Sequence, residues 1–172
     1  MPTLALYPAS VVEATWTGVA NLVGNTEAEA SNASNVAVAG TVADFVAAFD
    51  FSVVPANAYI TGITGGLLGR SQYYANSRET YALTLNSGAL TGVIAENRQT
   101  LTTSNASYLI AMDLALARTR GYTDEVLRAA SEWTFTLLSK VAYTEGCYVR
   151  KLWLDVEYEI ASGNALFFGE NF

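Results

Sequence analysis

The chain has 172 residues, 51% of them hydrophobic and only 15% charged, with 9 basic against 16 acidic side chains and a net charge of −7. A domain of this length buries roughly 70% of the surface its unfolded chain exposes, so its core needs neither disulfide nor metal, and an aromatic content of 12% excludes a disordered chain. The absence of histidine excludes a Ser-His-Asp triad, a Cys-His dyad and His-ligated zinc, while the acid excess disfavours nucleic acid and anionic membrane as partners.

The first ten residues read as an N-terminal arm. They have neither the basic segment nor the apolar length of a secretory signal. Leu4, Leu6 and Tyr7 lie between Pro2 and Pro8 and need apolar cover, from the chain itself or from a neighbouring subunit. Residues 25–40, rich in Asn, Ser and Ala, read as a long surface loop around a weak edge strand. Phe45, Ala47, Phe49 and Phe51 then alternate with Val46, Ala48 and Asp50, which predicts a strand with an aromatic inner face. Pro55 and Asn57 mark a turn. A strand resumes at Tyr59, and its glycines at 62, 65, 66 and 69 suggest bulges or close backbone approach.

Tyr81, Leu83 and Leu85 alternate next, closed by Asn86-Ser87-Gly88. Residues 108–116 form an apolar run interrupted by Asp113. Thr123 followed by Asp124 and Glu125 predicts a capped short helix, with acids in its first turn. Trp133, Phe135 and Leu137 predict another strand. The clearest strand is the last: Leu152, Leu154, Val156, Tyr158 and Ile160 face one way, and Lys151, Trp153, Asp155, Glu157 and Glu159 the other. Short strands with Gly/Asn/Ser punctuation predict an all-β fold: an antiparallel β-sandwich of jelly-roll type, with one short helix. The expected organisation is an arm over residues 1–10, a sandwich over 11–161 and an apolar C-terminal arm over 162–172. No apolar run reaches the length of a membrane span.

The chemistry-bearing candidates are few. Asp155, Glu157 and Glu159 stand about 6.6–7 Å apart along one strand face, but the close-spaced loop that calcium needs is absent, so they read as a solvated face. Gly62, Gly65, Gly66 and Gly69 lack the Gly-Lys-Ser/Thr ending of a phosphate loop and sit in a strand pattern. Neither a metal nor a cofactor is expected. The N-x-S triplets at Asn32 and Asn105 read as chance, and the single Cys147 has no internal partner for a disulfide. Trp16, Trp133, Trp153 and the pair Tyr73-Tyr74 are the aromatics to weigh as sugar platforms. Trp153 lies on the second face of its sheet, where cover by a loop or another subunit is the leading alternative. Leu166, Phe167, Phe168 and Phe172 crowd the C-terminal end, where polar residues are the norm, and call for burial against this chain or a neighbour.

Three segments carry a family resemblance. They are Trp16-Thr17-Gly18-Val19-Ala20-Asn21, then Phe49-Asp50-Phe51-Ser52-Val53-Val54-Pro55-Ala56-Asn57-Ala58-Tyr59-Ile60-Thr61-Gly62-Ile63, and finally Cys147-Tyr148-Val149-Arg150-Lys151-Leu152-Trp153-Leu154-Asp155-Val156-Glu157-Tyr158. Together they resemble a jelly-roll module of structural proteins in tailed bacteriophages, over about residues 11–160. The resemblance implies a non-enzymatic virion component assembled in the host cytoplasm. The foremost expectation is a capsid decoration, or cement, protein that binds junctions of the major capsid protein as a homotrimer. The alternative is a tail, baseplate or fibre-associated module that binds carbohydrate or a host receptor. Leu166, Phe167, Phe168, Phe172, Trp153, Leu4, Leu6 and Tyr7 are the expected residues for oligomer or capsid docking, whereas the alternative expects exposed aromatics, Trp153 or Tyr73-Tyr74, beside carboxylates around a groove.

Overall fold

Alternation along the chain becomes two facing sheets. The computed structural model of the chain describes residues 1–13, 16–26, 30–31, 36–37, 42–71, 78–87, 90–130, 132–139, 143–144 and 147–160. Its strands are β1 (Thr3–Leu6), β2 (Pro8–Val12), β3 (Ala30–Ser31), β4 (Val36–Ala37), β5 (Val42–Phe49), β6 (Ala58–Ser71), β7 (Arg78–Ser87), β8 (Leu90–Thr100), β9 (Ala106–Ala111), β10 (Glu132–Ser139), β11 (Tyr143–Thr144) and β12 (Cys147–Ile160). Two short helices, α1 (Leu114–Thr119) and α2 (Asp124–Ala129), separate β9 from β10.

One main sheet runs β1-β12-β6-β9, with β3 also pairing with β12; the other runs β2-β5-β10-β7-β8, and β4 and β11 pair apart from both as a two-stranded ribbon. Every strand pairing among the described residues is antiparallel. Set β1 and β2 aside and number β3, β5, β6, β7, β8, β9, β10 and β12 among themselves. They then lie first–eighth–third–sixth in one sheet and second–seventh–fourth–fifth in the other. That interleaving is the double Greek key of a jelly roll.

The inner faces supply the core. Phe45, Ala47 and Phe49 of β5, Trp133, Phe135 and Leu137 of β10, and Leu152, Leu154 and Val156 of β12 are all buried, as their alternation predicts. Aromatic pairs pack within this core: Trp16 meets Phe45 edge-on at 4.8 Å, and Phe51 stacks on Trp133 at 5.7 Å. Phe51 is buried, yet it does not continue β5. It opens a 3-10 turn whose N-cap, Asp50, accepts the Ser52 N–H at 2.8 Å. Ile160, at the last position of β12, is exposed.

The N-terminal residues are integrated into the sandwich. Strand β1 pairs with residues 154–157 of β12, and β2 pairs with β5. Leu6 is buried in the core and Leu4 packs against it. Leu6 therefore takes its apolar cover from its own chain, while Leu4 is only partly covered by it.

Helix α2 forms where Thr123 caps it, accepting the Val126 N–H at 3.3 Å. Helix α1 adds a second helix to the one expected. The apolar run over 108–116 is two elements: β9 ends at Ala111, and Asp113 caps α1 by accepting the Leu116 N–H at 3.0 Å. No helix among the described residues is long and apolar enough to cross a membrane.

Candidate functional site

The face of the β1-β12-β6-β9 sheet that points away from the core carries a shallow concavity of about 220 Å³, lined by Ala5, Tyr7, Leu68, Ser107, Lys151, Trp153 and Asp155. Each strand of the sheet contributes through the outward half of its alternation. Trp153 is at the centre. Its cross-strand partner is Gly66, which in turn faces Leu109 on β9. A Cβ on Gly66 would overlap the indole atoms Cε2, Cζ2 and Cδ2 together. The ring therefore lies face-down on the glycine backbone, with its other face toward the concavity.

The ring's edge is also held. Trp153 Nε1 donates to Asp155 Oδ2 at 2.9 Å. Lys151, two residues before the tryptophan on the same strand face, places Nζ 5.0 Å from the centre of the Tyr7 ring. One cationic and one anionic side chain thus flank a fixed aromatic surface.

The remaining candidates separate cleanly. Trp16 and Trp133 are buried in the core and present no platform. Tyr73, Tyr74, Asn32, Leu166, Phe167, Phe168 and Phe172 lie outside the described residues. Glu157 and Glu159 are exposed on β12, as a solvated face requires, and Glu157 lies against Gly62. Among the described residues no three Asp, Glu or Cys side chains converge as a metal site would need.

The glycines serve the packing of the sheets. Gly65 lets β6 approach Leu83 and Phe135 of the opposite sheet, and Gly69 lets it approach the Tyr148 carbonyl. Register shifts fall nearby: the extra residues are Thr61 on β6, between the pairs Gly62–Glu157 and Ile60–Tyr158, and Arg150 on β12.

A second concavity, about 390 Å³, is lined by Phe49, Asp50, Phe51, Ser52, Val54, Ala56 and Arg128. Its charged groups are engaged locally. Arg128 donates to the carbonyls of Val54 and Ala58. The Ser52 hydroxyl and backbone N–H hold the Asp50 carboxyl below its ordinary pKa. This is a braced corner of the fold.

Sequence reasoning placed Trp153 on the outer face but did not place Gly66 beneath it or Tyr7 beside Lys151. The only signal was a glycine and a tryptophan at outward positions of two strands whose register was unknown. No family model matches the chain, and no curated protein matches it. Among solved structures it is similar to CBM29_1, a family 29 carbohydrate-binding module from Piromyces equi, with a TM-score of 0.40 and 8% identity, covering 90% of this chain and 91% of that one.

Proposed function

We propose that this chain is a non-enzymatic structural protein of a tailed-phage particle, a jelly-roll subunit that decorates the head by binding junctions of the major capsid protein as a homotrimer. The observation that carries the reading is the relation between two of the segments that carry the resemblance. Residues 58–63 open β6, residues 147–158 make most of β12, and these two strands are the hydrogen-bonded centre of one sheet. The motif pieces thus form one structural unit, the kind of rigid two-layer body that suits a subunit repeated over a lattice. The apolar sequence of Leu166, Phe167, Phe168 and Phe172 supports permanent protein contact.

The test is the copy number of the chain in purified particles, with and without residues 162–172. A copy number in the hundreds, falling sharply on truncation while the domain stays folded, supports head decoration. A number in single or low double figures moves the subunit to the tail, baseplate or fibre. Absence from particles overturns the reading.

A further inference from the structure

We propose that the Trp153 concavity is a binding site for a neutral sugar ring. The inference is independent of where the subunit sits in a particle. A pyranose presents an apolar C–H face and a polar rim of hydroxyls. Its natural receptor is a flat, fixed aromatic surface with hydrogen-bonding groups around it. Trp153 meets the first condition, because Gly66 seats one ring face and Asp155 holds the indole N–H. A ring already fixed in place loses little conformational freedom when a ligand stacks on it.

Lys151, Asp155 and Ser107 meet the second condition at the rim. Their types also select the ligand. Lysine and aspartate on the two sides cancel locally, so the site favours neither a polyanion nor a polycation, and both side chains bond well to hydroxyls. Size points the same way. The concavity holds about 220 Å³, below the roughly 300–1,000 Å³ of sites for drug-sized molecules, which is room for a single ring of a longer chain. Leu109, 45% exposed across Gly66, continues the apolar floor toward β9 for an adjoining ring. A protein partner would instead require a wide apolar core depleted of charge, and here Lys151 and Asp155 directly flank a single aromatic ring.

The test is titration of the purified full chain with neutral hexaoses of glucose, mannose, galactose and N-acetylglucosamine, and with a uronic-acid hexaose, read by tryptophan fluorescence and calorimetry. At least one neutral hexaose binds and shifts the fluorescence. Trp153→Ala weakens that binding by about tenfold or more. Ser107→Trp, made at an exposed position on β9, fills the concavity from its far side and weakens binding equally. It decides the matter if Trp153→Ala lowers stability. The proposal is overturned if no neutral hexaose binds at millimolar concentration, if only the uronic-acid hexaose binds, or if binding survives Ser107→Trp. The titration uses no particle, so its failure and the failure of the virion reading are separate results.

Discussion

Arg118 and Asp124 form an ion pair of 2.9 Å that acts as a missing strand for Ile60. Strand β9 covers β6 only from Thr64 to Gly69. Beyond that reach, Asp124 Oδ2 accepts the Ile60 N–H at 3.1 Å, and Arg118 donates to the Ile60 carbonyl at 2.6 Å. The two helices thereby satisfy a sheet edge that the neighbouring strand leaves open. Arg118 also stacks on Tyr59, 4.3 Å from the ring centre.

Removing either partner leaves a charged group and a backbone polar group unmatched. Arg118→Ala and Asp124→Ala should each cost about 1.5–3 kcal/mol, the range for hydrogen bonds to charged groups. Chemical denaturation measures this, and a double-mutant cycle should give a coupling of about 0.5–3 kcal/mol. Additive effects of the two substitutions would mean that no such unit exists.

The glycines of β6 should rank by what their missing Cβ would meet. On Gly69 it would stand 2.6 Å from the Tyr148 carbonyl oxygen, part of the paired backbone of β12. That atom cannot retreat without opening the β6–β12 pairing, so Gly69→Ala should cost about 3 kcal/mol or more. On Gly66 the obstacle is the Trp153 indole, a side chain that can swing outward. Gly66→Ala should cost less and should red-shift the tryptophan fluorescence as the ring moves into water. Equal costs, with unchanged fluorescence, would contradict the packing described.

Asp50 should titrate below the ordinary aspartate range. The Ser52 hydroxyl first, and then its backbone N–H, favour the ionised carboxylate. A carboxyl whose pKa is depressed by folding stabilises the fold above its unfolded pKa, and this contribution disappears as pH falls through its folded pKa. Acidification should therefore release the cap of the 51–53 turn, seen as faster Ser52 amide exchange, and Asp50→Asn should remove that pH dependence. An NMR midpoint at or above the ordinary aspartate value would refute the cap.

Cys147 is the chain's one cysteine and is fully buried at the start of β12, opposite Ser71. Its thiol should be inert to a colorimetric thiol reagent in the native protein and react stoichiometrically in denaturant. Rapid reaction of the native chain would show that this end of β12 opens readily.

Alternation determined a large share of this architecture on its own. Side-chain direction in a strand repeats every second residue, so Phe45/Ala47/Phe49, Trp133/Phe135/Leu137 and Leu152/Leu154/Val156 declared their inner faces without a partner in view. The cap of α2 was equally local, a hydroxyl three residues from the amide it receives. Where local signals were thin, elements went unread. Among the described side chains of β8 only Ala95 is buried, so no stripe announced it. Helix α1 hid inside an apolar run because Asp113 reads as an interruption until its side chain is seen to cap a helix.

The outer surface around Trp153 belongs to the other class. The chain itself determined that Trp153 faces away from the leucines of β12. That the indole rests on Gly66, with Lys151 over Tyr7, depends on register between strands far apart in sequence, shifted by the extra residues Thr61 and Arg150. Register is set by the collective packing of both sheets, and one residue of slip turns every side chain to the opposite face. Only the assembled sandwich could decide it.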